Sequence, residues 1–413
     1  MGLVLSKSIV EHARLGARTR LEHGVLTVGG DELTARLEQR DARIERVAVH
    51  VVQPGDAARI LCVKDVIEPR CKIGGASIGA GATHVLQNVA VVTCGPIVGF
   101  QEGIIDMSGP GAAYTPFAER NLVVIEARVA EGTPPHEHEA ILRATGIAAA
   151  EQLAQDCAAA AIDRVETLNW DAQQTDSGLP RIAYVDMVLS QGLLHDTYVL
   201  GRNAGDVLPC RIDPLVMIDG GVVSGNCVSA CDKTTTYHHQ NNPVVRALLA
   251  GHGTRWHFAG VVMTNEPTRL AAKQRSAARA VELVRELDAD AAIITKEGFG
   301  NPDADLMMIV RALEAAGIRT VAVTDEFAGT DGMSQSLADA TPEADALISV
   351  GNANERIELP AMQTVIGPWP DVARLAGGYA QSVHDDGTMT VELQAIIGAT
   401  NQLGFSRLSC REI

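Results

Sequence analysis

The chain is expected to be α/β, a β-rich N-terminal region followed by a C-terminal β-α-β parallel-sheet domain. Three observations carry this expectation. Beyond residue 257, short apolar runs at 258–264, 291–295, 320–324 and 346–350 alternate with amphipathic stretches at 267–287 and 303–316, the rhythm of a parallel sheet covered on both faces. Before residue 120, apolar runs separated by Gly and Pro turns read mostly as strand. Finally, only 3% of residues are aromatic while alanine, valine and isoleucine abound, which suits an α/β core better than an aromatic-rich sandwich. The 413 residues predict two or three domains. We place them at 1–120 (β-rich), 121–226 (an α/β middle region) and 227–413 (the parallel α/β domain).

Taken in order, 47–52 alternates in part, and Pro54-Gly55-Asp56 turns the chain before a second run at 58–63. Gly74, Gly75, Gly79 and Gly81 punctuate a loop that no strong strand precedes, so it is not a nucleotide fingerprint. The run 88–94 reads as a buried strand. A glycine-rich loop with two carboxylates, Glu102 and Asp106, follows it. Residues 121–129 read as a strand, and Pro134-Pro135 opens a helix over 136–161. His136 and His138 flank Glu137 and Glu139 in its first turn. Histidines two apart on a helix diverge, so they make a poor metal pair. The acids suit the helix N-terminus. The polar segment 166–180 is expected to be a surface loop. A strand at 181–190 leads to Gln191-Gly-Leu-Leu-His195-Asp196-Thr-Tyr198, and Pro243 starts a short helix over 243–250. His195 beside Asp196 reads either as a proton-transfer pair or as a satisfied loop histidine.

Composition narrows the function. A formal net charge of −17 argues against a nucleic-acid or anionic-membrane surface. No apolar run approaches the ~20 residues needed to span a bilayer. The first residues lack a basic-then-apolar signal pattern. Eight scattered cysteines form no dense framework, so they read as reduced thiols in a cytoplasmic protein. Neither a P-loop nor Gly-x-Gly-x-x-Gly after a strand is present, so nicotinamide, flavin and ATP are unsupported. No metal site is expected.

Around Asp219-Gly-Gly-Val-Val-Ser224-Gly-Asn226-Cys227-Val-Ser229-Ala-Cys231-Asp232-Lys233, an Asn-Cys peptide bond lies behind three glycines, where the backbone can turn sharply. A thiol there can attack its own preceding carbonyl, converting an amide to a more labile thioester. β-Elimination and hydrolysis would leave a pyruvoyl-started chain; hydrolysis alone would leave an N-terminal cysteine. Beside this stand two plainer readings, a small core cysteine and a metal or redox pair with Cys231. Ligands of open parallel sheets bind at the carboxyl ends of strands. The turns there carry Glu297, Asn301, Asp325, Asn352 and Asn354, suited to an amine substrate, though Asn and Asp also cap helices.

Several long blocks resemble the proprotein subunit of component B of the glycine, sarcosine and betaine reductases. They include Val63 to Arg70, Cys94 to Thr115, Pro135 to Glu139, Ser190 to Tyr198, Ser224 to Lys233, Glu297 to Asp303, Gly332 to Asp339 and Gly351 to Glu355. The D-proline reductase proprotein is a more distant relative. The resemblance implies cleavage before Cys227, which becomes a pyruvoyl group, giving chains 1–226 and 227–413. It also implies a hetero-oligomer with a selenocysteine- or cysteine-containing component B subunit, a carrier selenoprotein, and reductive C–N cleavage of a small amine. On this reading His195, Glu102, Asp106, Glu297, Asn301, Asp325, Asn352 and Asn354 are candidates to bind the amine, with Asn226 and Cys227 at the processed bond. A self-processing N-terminal-cysteine amidohydrolase and an unprocessed scaffold subunit remain the alternatives.

Overall fold

The computed structural model describes residues 2–96, 103–172, 178–191, 195–226, 234–367 and 382–405, without the side chains of His195 and Asn226. Cys227 and Glu102 lie outside the described residues, as do 228–233.

The N-terminal half builds two four-stranded sheets. One has the order Ile44–Val52, Asn121–Val129, Val89–Cys94, Val63–Ile67. Its central pair is parallel and both outer pairings are antiparallel. Val89–Cys94 is buried at every position because this sheet is covered on both faces. Helix Pro135–Asp156 covers one face, setting Leu142, Ala149 and Leu153 against Val91 and Ile125. The helix starts at a proline that needs no N–H partner. It comes close at Gly146, where a Cβ would lie 2.0 Å from Thr93 Oγ1. Phe117, Tyr237 and Ile397 pack on the opposite face, against Val92 and Val124.

The second sheet has the order Arg164–Leu168, Leu3–Ile9, Gly81–Gln87, Arg70–Ile73. It corrects part of one expectation, because 166–168, at the start of the expected loop 166–180, belong to a strand, Arg164–Leu168, antiparallel to Leu3–Ile9. Its polarity fits an edge strand. Lys7 pairs with Glu166 at 2.5 Å, and Arg246 reaches the same carboxylate at 2.8 Å.

The third large sheet has the order Cys210–Ile212, His257–Glu266, Arg181–Leu189, Ala291–Thr295, Arg319–Glu326, Leu347–Asn352. All but the first are mutually parallel. Helices Leu270–Glu286 and Asn301–Ala315 bury Ala280, Val284, Leu306 and Val310 on one face. Helix Pro243–Gly251 buries Val245 and Leu248 on the other. Counted along the chain, the five parallel strands stand in the order second, first, third, fourth, fifth. The direction of winding therefore reverses between Arg181–Leu189 and Ala291–Thr295, where the carboxyl ends of an open sheet leave a crevice. The first of these strands precedes residue 226. No described helix is long and apolar enough to cross a membrane.

Candidate active site

The backbone of Asn226 is held in a hairpin. His195–Val199 pairs antiparallel with Val222–Asn226 in the register His195 to Asn226, Asp196 to Gly225 and Thr197 to Ser224. Two candidate residues thus meet across one ladder. Gly225 has no room for a side chain. A Cβ there would lie 2.6 Å from Tyr198 Cε2, 2.7 Å from the Asp196 carbonyl oxygen and 3.0 Å from Glu139 Oε1. Glu139 accepts from Arg143 Nε at 2.8 Å and from the Tyr198 hydroxyl at 3.4 Å. Burial pushes its carboxyl up, against the lowering pull of Arg143.

The chain is held again at Thr236, and the nearby Thr234 backbone pulls the Glu297 carboxyl down against the larger effect of burial. Thr236 donates its N–H to Asp65 Oδ1 at 2.8 Å and its hydroxyl to Oδ2 at 2.6 Å, and the same hydroxyl accepts the Ser224 N–H at 3.0 Å. Residues 224 and 236 are thereby tied together, so the intervening chain starts and ends at one place.

That place is the winding reversal. Glu297 follows Ala291–Thr295, and its Oε2 accepts the Leu189 N–H at 2.8 Å and the Thr197 hydroxyl at 3.3 Å. One buried carboxyl thus joins the ends of two neighbouring parallel strands to the hairpin. Glu266 Oε1 accepts the Glu297 N–H at 3.1 Å, while Glu266 Oε2 is buried without a partner. Asp186 Oδ1 accepts from Tyr184 at 3.1 Å and Thr295 at 3.2 Å, and its Oδ2 is also buried and unpartnered. Burial disfavours all three charged forms. It raises Glu297 to about 8 despite its hydrogen bonds, and Asp186 to about 7. Glu266 is raised well above the carboxylate range by burial and by the neighbouring Glu297. At neutral pH Glu297 and Glu266 are therefore mainly protonated and Asp186 lies near its midpoint, so the group can donate as well as accept.

The remaining candidates are spread out. Asp325 is buried beside Lys296 (3.2 Å), which also holds Asp303 at 2.6 Å, and it accepts from Gln402. Asn301 begins a helix with its side chain exposed. Asn352 and Asn354 hold a loop: they accept the N–H groups of Ala328 and Gly329, both at 3.1 Å. Asp106 forms a buried two-point ion pair with Arg59 at 2.7 and 2.8 Å. Asp186, Thr197 and Asp65 were not singled out by sequence reasoning. The one signal available was Asp186, an acid inside an otherwise apolar strand. Among the described residues no three His, Cys, Asp or Glu side chains are grouped to hold a metal.

A hairpin joined through Thr197 to buried acids at the carboxyl edge of a parallel sheet defines an α/β protein with a candidate site at its winding reversal. Comparison with known proteins gives the family. Residues 1–411 match the family of glycine/sarcosine/betaine reductase component B subunits, and the chain belongs to it. It is 44% identical, over the whole of both chains, to the glycine reductase complex component B subunits alpha and beta of Peptoclostridium acidaminophilum. It is 43% identical, again over both whole chains, to the sarcosine reductase complex component B subunit alpha of the same organism. A more distant relative is the D-proline reductase proprotein of Acetoanaerobium sticklandii, 23% identical over 76% of this chain and 53% of that protein. No solved structure matches the chain.

Proposed function

We propose that this chain is the pyruvoyl-dependent subunit of a reductase complex of the glycine, sarcosine or betaine type, self-processed between Asn226 and Cys227. The observation that carries the reading is that the Ser224–Thr236 tie brings the two ends of this segment to one place, on a hairpin whose Thr197 bonds Glu297 at the winding reversal. In this reading the Cys227 thiol attacks the Asn226 carbonyl, and elimination with hydrolysis leaves a new chain starting at 227. A pyruvoyl group there supplies a ketone that condenses with an amine and withdraws electrons from its C–N bond. The surrounding residues fit such a group. They offer a proton on Glu297 and unpartnered oxygens on Asp186 and Glu266 that can accept from an amine. Burial beneath the hairpin excludes water from these acids and favours their neutral forms. A selenocysteine- or cysteine-bearing partner subunit would then accept the carbon fragment and pass it to a carrier selenoprotein.

On denaturing gels the purified protein should give two fragments of slightly unequal size. Cys227→Ala should give one band, whereas Cys231→Ala should still be cut. Intact mass of the second fragment should show a pyruvoyl end that resists Edman sequencing and reacts with phenylhydrazine. A fragment sequenced from cysteine would reject the reading.

A further inference from the structure

The second four-stranded sheet ends in an open edge. Arg164–Leu168 pairs with Leu3–Ile9 alone among the described strands, so one side of its backbone lacks a ladder partner and is a template for a further strand. Such edges are commonly blunted by a proline, a bulge or a lysine. None of the three is present. The stretch reads Ile162-Asp-Arg-Val-Glu-Thr-Leu168, and its register with Leu3–Ile9 runs without a shift. Ile162 and Val165 are 43% and 60% exposed, and Arg164 and Thr167 are exposed beside them. Asp163 stays in line with the strand, its N–H on the Lys7 carbonyl at 2.9 Å and its carboxylate on the Ile9 N–H at 2.7 Å. Ala158, Ala159 and Ala161 are exposed just before it, so apolar surface continues past the end of the strand.

The sequence of this edge is complementary to itself. Two copies related by a twofold axis perpendicular to the sheet meet edge to edge as antiparallel strands, with like faces on the same side. Centred on Val165, such a pair sets Val165 against Val165 of the second copy, Arg164 against Glu166, Asp163 against Thr167 and Ile162 against Leu168. Opposite charges and apolar side chains then meet directly, which stabilises a pair of strands. The neighbouring registers that keep the faces, centred on Arg164 or on Glu166, put Arg against Arg or Glu against Glu, which destabilises it. Glu166 already accepts from Lys7 and Arg246, but an ionised carboxylate has about four acceptor sites, so a further donor can be taken. The strand and the side chains bonded to it carry three cations, Lys7, Arg164 and Arg246, and two acids, Asp163 and Glu166, on a chain whose net charge is −17. Here two copies can approach without setting the molecule's excess negative charge against itself. We infer that two copies of this chain pair through Arg164–Leu168, antiparallel about Val165, joining their four-stranded sheets into one sheet across the twofold axis. The inference goes beyond the processing reading and uses none of its residues.

Sedimentation equilibrium and native mass spectrometry of the full chain test it. The wild-type chain should dimerise in a concentration-dependent way. Val165→Lys sets two ammonium groups against each other on the axis. Arg164→Glu sets Glu against Glu166 of the second copy at two symmetric places. Each should weaken the dimer at least about tenfold. Both positions are exposed, so far-ultraviolet circular dichroism should stay as in the wild type. The register is read by oxidation with diamide. Val165→Cys faces its own copy with Cβ atoms about 4.5–5.5 Å apart, close to disulfide reach, and should give a linked dimer on non-reducing gels. Thr167→Cys would lie about 14 Å from its own copy, four residues along the pair, and should not exceed the wild-type background. A monomeric wild-type chain overturns the inference, as does undiminished dimerisation of either charge variant, or Thr167→Cys crosslinking as readily as Val165→Cys.

Discussion

Gly225 and Glu297 stand on the two sides of the hairpin that leads to the proposed cleavage bond, and each should fail in its own way when changed. A methyl group at Gly225 would press on the Asp196 carbonyl and the Tyr198 ring, at 2.7 and 2.6 Å. The first is backbone and cannot swing aside. Gly225→Ala should therefore cost about 1–3 kcal/mol and slow cleavage, read from urea unfolding and from band ratios over time. Glu297 acts through its proton. Its carboxyl is raised from 4.5 to about 8, so it holds more protons folded than unfolded between those values. Its contribution to stability is full below pH 4.5 and is lost as pH rises through about 8. His238 and His239 work in the opposite sense. Burial lowers both from 6.5 to about 3, so what they contribute is present above pH 6.5 and lost as pH falls toward about 3. Glu297→Gln keeps an acceptor for Leu189 and Thr197 but cannot ionise. Melting temperature against pH should flatten for it on the alkaline side while the acid limb stays as in the wild type; an unchanged alkaline slope would show that the linkage lies elsewhere.

At the scale of elements, the hairpin is fixed by a residue far from it in sequence. Asp65, at the centre of Val63–Ile67, takes both donors of Thr236. Asp65→Asn keeps the shape but turns one acceptor into a donor facing a donor, which should cost about 1–3 kcal/mol and loosen the Ser224–Thr236 tie. Chemical denaturation with a matched cleavage time course would measure both. The same elements show what could be read in advance. Runs 121–129 and 291–295 coincide with Asn121–Val129 and Ala291–Thr295 because those strands lie in sheets packed on both faces and are apolar for that reason. The strand part of the expected loop 166–180 escapes the sequence because Arg164–Leu168 is an edge strand with Val165 60% exposed, so burial leaves no alternation in it. His195–Val199 is too short and polar to declare itself; it is a strand because Val222–Asn226 and Arg202–Asn203 pair with it. The turn holding Glu297 was legible from the rule that parallel sheets bind at their carboxyl ends. Asp186 was not, because its raised pKa arises from burial that tertiary packing creates.

Across the whole molecule, residues on the two sides of Asn226 are interleaved rather than juxtaposed. Arg181–Leu189 is inserted between His257–Glu266 and Ala291–Thr295, hydrogen-bonded to both. In return, Thr364–Ile366 adds to Ala58–Ile60 in the N-terminal half. Arg59 bonds both Asp106 and the carbonyl of Pro360. A cut between 226 and 227 therefore severs the chain without severing the fold, since each fragment supplies strands to the other's sheets. Separating them would expose two flanks of a buried parallel strand, whose backbone groups would lose their partners, together with the apolar faces around Tyr184 and Val185. The processed fragments should thus co-elute at the mass of one intact chain, or a multiple of it, in native size exclusion and native mass spectrometry. They should part only in denaturant, in the same transition that unfolds the uncut Cys227→Ala chain. Dissociation in native buffer would mean that the strand exchange across the cut is weaker than its hydrogen bonding and burial imply.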